Sequence, residues 1–146
     1  DPHAWLAPRH AGLPDMLALI AQCDTEFKPC LDRYKYPDRY DGVDATDQRE
    51  QGAQWLSQLE SRLHTGSTVE NPAAETPGLF GDRSTLADAA IMPFVRQFAQ
   101  VDRTWFDAQP WPALHAWLAA WLVSPLFEAV MHKYTPWEGG QGVLFP

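Results

Sequence analysis

The chain is short of positive charge, of cysteine and of long apolar runs, and each shortage removes a class of function. Eleven Lys and Arg stand against nineteen Asp and Glu among 146 residues, giving a formal charge of −8. Such a surface repels phosphate backbones and anionic lipid, so neither nucleic acid nor a membrane is an expected partner. The two cysteines, Cys23 and Cys30, cannot frame a disulfide scaffold. On one helix they would lie roughly 10.5 Å apart, beyond the roughly 7 Å Cα limit for a bridge. A reduced thiol state and a cytoplasmic location follow. The longest apolar run, from Ala113 to Val123 with His115 inside it, falls well short of the roughly 18 residues of a membrane span. No basic n-region precedes an apolar stretch, so no secretory signal is expected. His3, His10, His64, His115 and His132 have no second ligand at i+3 or i+4, so no metal site is expected. Phosphate loops, dinucleotide fingerprints and Ser-centred elbows are missing too. The chain starts with Asp1 where a Met would open a gene product, which reads as a processed or excised fragment.

What is present is helical patterning. Apolar residues fall at Leu13, Met16, Leu17, Ile20, Cys23, Phe27, Cys30, Leu31 and Tyr34, the stripe of an amphipathic helix over about six turns. Pro14 suits its first turn, Pro29 should kink or split it, and Pro37 should end it. Between Asp24 and Glu50 lie thirteen of the thirty charged residues, which reads as a solvated rim. Asp44 or Thr46 can cap a second helix running to about His64, with Trp55, Leu56, Leu59 and Leu63 facing inward and Gly66 just past its end. Residues 66 to 84, with Pro72, Pro77, Gly78 and Gly81, read as a surface loop.

The third helix has the clearest start. Thr85-Leu86-Ala87-Asp88 has the form of a capping box, in which hydroxyl and carboxylate each serve the other residue's N–H. The run from Leu86 to Val95 is apolar nearly all round, so it should be buried on every side, with a bend at Pro93. A fourth helix opens at Trp111-Pro112, with Leu114, Trp117, Leu118, Trp121 and Leu122 on one face. Ser124-Pro125 opens a fifth, running to about Lys133. No strand alternation appears. The fold class is all-α, a bundle of about five helices. The seven tryptophans, at helical spacing, read as core.

Three segments carry a resemblance. Gly81-Asp82-Arg83-Ser84-Thr85-Leu86-Ala87-Asp88-Ala89-Ala90 resembles the entry to the central helix of glutathione S-transferase C-terminal domains. Trp111-Pro112-Ala113-Leu114-His115-Ala116-Trp117-Leu118 and Ser124-Pro125-Leu126-Phe127 are similar to the closing helices of that domain. Thr25-Glu26-Phe27 resembles the end of its first helix in bacterial beta-class enzymes.

The resemblance implies a helical domain over residues 13–137, an interdomain linker remnant at 1–12 and an irregular tail at 138–146. It implies that a thioredoxin-like domain, with the glutathione site and the catalytic residue, belongs to the parent protein. No catalytic residue is then expected here. Glutathione would be the parent's co-substrate, bound by nothing in this chain alone, and the chain alone would be inactive. The helical domain would supply the apolar electrophile pocket, with Phe27, Lys28, Tyr34, Arg96 and Gln97 as candidate lining and Lys28 able to steady a thiolate by its charge. Thr85 and Asp88 would be structural. The parent would be a homodimer with its first two helices beside the twofold axis. An apolar face bearing Phe27, Tyr34 or Phe98 would be bare without the other domain. Two alternatives share the fold: a non-catalytic interaction module, and the helical domain of a glutaredoxin-type reductase, whose preceding domain would carry Cys-Pro-x-Cys.

Overall fold

The computed structural model describes residues 1, 4–8, 11–66 and 78–133, and these are helical apart from short connections. The long first stripe folds as α1 (Leu13–Gln22), a π-helical turn (Cys23–Phe27) and α2 (Lys28–Lys35). Pro29 explains the turn. It has no N–H for the carbonyl one turn back, so the register widens, and Lys28 N–H reaches the carbonyl of Cys23. The expected split at Pro29 is therefore a change of pitch. A 3₁₀ turn at Pro37–Arg39 follows. Along this charged rim the guanidinium of Arg39 lies 4.0 Å from the Tyr36 ring centroid, and that of Arg33 lies 5.6 Å from Tyr40.

Helix α3 (Ala45–Gly66) is capped by Asp44, whose carboxylate accepts the Thr46 N–H at 2.7 Å. Gly52 sits at its centre because there is no room for anything larger. A Cβ there would lie 2.5 Å from Phe98 Cε2.

Helix α4 (Leu86–Val101) runs unbroken through Pro93 and is followed by α5 (Arg103–Asp107), α6 (Pro112–Leu122) and α7 (Pro125–Val130). The sequence pattern had no place for α5, which is too short to show a period. Asp102 caps it, accepting the Trp105 N–H at 3.0 Å. Ser124 caps α7 as expected, accepting the Phe127 N–H at 3.1 Å, although the helix ends three residues before Lys133. The cap of α6 comes from another helix: Glu60 of α3 accepts the N–H groups of Ala113 and Leu114 at 3.2 and 2.7 Å.

One core joins all of this. Met16, Leu19, Cys23, Phe27 and Leu31 meet Leu56, Leu59 and Leu63 of α3, Ile91, Val95 and Phe98 of α4, and Leu114 and Trp117 of α6. Phe27 stacks on Trp55 with centroids 4.6 Å apart, and Phe98 touches both Phe27 and Tyr34 at 5.3 and 5.1 Å. Among the described residues no helix is long and apolar enough to cross a membrane. The expected tail at 138–146 and most of the expected loop, residues 67–77, lie outside the described residues.

The described end of that loop departs from expectation. Gly78 to Gly81 is buried, not a surface segment. Leu79 and Phe80 point into the core, and Gly78 N–H donates to the Gly81 carbonyl at 2.8 Å. Gly81 adopts φ +133°, a conformation that glycine alone takes readily. A Cβ on Gly78 would collide with the carbonyl oxygen of Arg83.

Candidate functional site

The site follows from how α4 is mounted. Asp88 is fully buried and gathers four donors: Leu79 N–H and Trp117 Nε1 on Oδ1, both at 2.8 Å, and Thr85 N–H and hydroxyl on Oδ2 at 2.8 and 2.7 Å. Thr85 and Asp88 thus form the capping box, extended to the preceding loop and to α6. Burial pushes the Asp88 carboxyl up, against the pull of Thr85, Leu79 and Trp117. The N-terminal residues fasten to the same point. Leu86 N–H donates to the Trp5 carbonyl at 3.1 Å, and Arg83 Nη2 to the Ala7 carbonyl at 2.6 Å.

So mounted, α4 turns Ala87, Ile91, Met92, Val95, Phe98 and Ala99 to the core. Its opposite arc stays half-open: Leu86, Ala89, Ala90, Phe94 and Gln97 are partly covered, and Pro93 is exposed. The expectation of burial on every side was wrong. An apolar run does not fix how many faces are packed, and here only half the circumference is. Pro93 fits an open arc, because the Ala89 carbonyl it leaves without a helical donor is not sealed in the core.

Helix α1 borders this arc. Leu13 and Leu17 are 37% and 51% exposed, with Ile20 partly buried on the same stripe. The stripe continues through Asp24 to Lys28, whose ammonium lies 3.1 Å from Asp24 Oδ1 and 4.4 Å from the Phe94 centroid. Two turns further along α2, Lys35 Nζ donates to Gln97 Oε1 at 3.4 Å.

Of the five candidate lining residues, Lys28 and Gln97 thus both lie along the α2–α4 edge of the open arc, each paired with a different residue across it. Arg96 lies round α4 on its other edge, its guanidinium 5.4 Å from the Phe127 ring of α7. Phe27 and Tyr34 are elsewhere: both are buried in the aromatic cluster with Phe98 and line no open surface. That corrects the expectation that Phe27, Tyr34 or Phe98 would be bare. Phe27 and Tyr34 occupy the same stripe as Met16 and Cys23, and Phe98 that of Ile91 and Val95 on α4, so helical spacing already put them inside. Leu13, Leu17 and Pro93 take their place on the open face, and Phe94 is the aromatic residue that sequence reasoning missed.

Neither thiol is activated. Burial, then the neighbouring Asp24, pushes Cys23 up to about 12, and burial raises Cys30 as well. Cys30 Sγ instead donates to the Glu26 carbonyl at 3.2 Å, beside a groove of about 410 Å³ between α2 and α3. His115 turns Nε2 to the Phe106 carbonyl at 3.1 Å.

No curated protein matches the chain. The family described as "Glutathione S-transferase, C-terminal domain" matches residues 4–120, a span that includes the anchored N-terminal residues, the capping box and most of α6. With its all-helical fold and its capped central helix, the chain belongs to the glutathione S-transferase C-terminal domain family.

Proposed function

We propose that this chain is the helical domain of a glutathione S-transferase-type protein and that its α1–α4 face docks a thioredoxin-like domain. That domain binds glutathione and carries the residue that activates the thiol. The observation behind this reading is the half-open apolar arc of the central helix, flanked by exposed Leu13 and Leu17. A helix held by four buried hydrogen bonds and yet open along one apolar side is suited to a partner surface.

On this reading the electrophile lies at the rim of that face. Phe94 and Pro93 give apolar contact, and Lys28 and Gln97 form the polar edge. Phe27 and Tyr34 act from behind, holding the helices that carry the rim. Lys28 is the group placed to face a thiolate, although Asp24 already balances part of its charge. The protein works in the cytoplasm as a homodimer, with the exposed Gln51, Gln54 and Gln58 face of α3 suited to a wet contact beside the twofold axis.

The test uses the longer protein that contains these residues. Leu17→Asp should lower glutathione conjugation of an aryl halide at least tenfold. In the 146-residue chain the same change at a half-exposed site should leave helix content intact. Unchanged conjugation in the longer protein would remove the α1–α4 face from the account. Sedimentation at micromolar concentration should show a dimer, and a strict monomer would remove the twofold contact.

A further inference from the structure

Along α3 lies a second groove, of about 460 Å³, which shares Gln54 at its rim with the proposed twofold contact and is otherwise outside it. Trp105 and Trp111 form one wall, edge to face with centroids 5.9 Å apart, and Ala53 and Pro110 add apolar contact. That volume falls within the range of small-molecule sites, and two indoles present large, rigid apolar surface.

The groove also contains a cation, Arg49, whose hydrogen-bond partner among the described residues, the Tyr34 hydroxyl, is neutral. The Arg49 guanidinium lies 4.7 Å from the Trp105 ring centroid. Among the described residues no carboxylate comes within ion-pair distance of it, and its Nε is buried without an acceptor. Carboxylates outnumber cations in this chain, so a half-buried arginine with no acid partner is unusual. Asp102, whose charge acts on the Tyr34 hydroxyl beside Arg49, is already committed to the N-terminus of α5. The polar groups on the wall are spoken for: Ser57 Oγ accepts from Trp111 Nε1 at 3.1 Å, and Gln109 Nε2 donates to the Trp105 carbonyl at 2.9 Å. Glu50 lines the groove from an exposed position, so water screens its charge more than that of Arg49.

We propose that the groove between α3 and α5 binds small planar aromatic carboxylates of one or two rings, the ring against Trp105 and Trp111 and the carboxylate on Arg49. A guanidinium offers a planar pair of donors that matches a carboxylate, and the aromatic wall excludes water from that pair.

The experiment is a titration of the ¹⁵N-labelled chain with 2-naphthoate and with the neutral 2-naphthalenemethanol, following the indole N–H signals. Naphthoate should shift the Trp105 and Trp111 signals saturably, and the alcohol should bind at least fivefold more weakly. Arg49→Gln should weaken naphthoate at least fivefold and leave the alcohol unchanged. Should that variant not fold, Gln54→Glu, which adds a carboxylate at the exposed rim, should weaken naphthoate at least threefold with the alcohol unchanged. Unmoved Trp105 and Trp111 signals, equal affinity for acid and alcohol, or variants without effect would each overturn the proposal.

Discussion

Asp88 Oδ1 accepts hydrogen bonds from Leu79 N–H and Trp117 Nε1, each at 2.8 Å, tying the loop before α4 and the middle of α6 to one buried oxygen. Asp88→Ala would leave four donors unpaired in the core, with an expected cost of about 4 kcal/mol. Trp117→Phe should cost about 2 kcal/mol through the lost bond and lost contact. Because the two residues share a bond, the double variant should cost at least about 0.5 kcal/mol less than the sum. Urea denaturation of the three variants decides this, and strict additivity would show that the bond contributes nothing.

Thr85 contributes both a backbone and a side-chain donor to Asp88 Oδ2. Thr85→Ala removes the second alone, so a loss of about 1 kcal/mol is expected, with Thr85→Ser close to wild type. An unchanged thermal midpoint for Thr85→Ala would contradict the role given to the hydroxyl.

Gly52 offers a test of opposite character. Alanine is the better helix former by about 1 kcal/mol, so an open position would gain from the change. Here the added Cβ meets Phe98, which Phe27, Tyr34 and Trp105 hold in place. Overpacking costs about 1–3 kcal/mol, so Gly52→Ala should be destabilising on balance, by about 1 kcal/mol. A raised thermal midpoint would show that the helices can separate freely.

Cys23 sets an alkaline limit. Its thiol ionises near 9.0 when unfolded and at about 12 when buried in the fold. The folded value is the higher one, so the contribution of this group to stability is complete below pH 9 and fades as pH rises toward 12. Cys23→Ala should therefore weaken the pH dependence of stability between pH 9 and 11. In the native chain near pH 8, a thiol reagent should label Cys30 slowly and Cys23 only on unfolding. Rapid labelling of both would contradict the burial described.

Much of this fold was legible because its signals are local. Proline spacing, the caps at Thr85 and Ser124 and the stripes of α1, α3 and α6 all act within a few residues of where they are read. Glu60 was not legible as a cap, since it serves α6 from α3, more than fifty residues away. Nor was the buried turn at Gly78 to Gly81, where composition looks like surface and the packing comes from Asp88 and the core. The site suffered from a different ambiguity. An apolar residue reads alike in a core and in a cleft, and only the packed neighbours separate Phe27, which is sealed, from Phe94, which is not.

In the function proposed, these helices form one wall of a site whose chemistry resides in another domain. The most direct measurement is the turnover of the purified 146-residue chain with glutathione and an aryl halide near neutral pH. No rate above the uncatalysed reaction is expected, because neither thiol is activated and, in the function proposed, glutathione is activated by the other domain. Saturable turnover that survives Cys23→Ala and Cys30→Ala would place a glutathione-activating site within these helices and contradict that proposal.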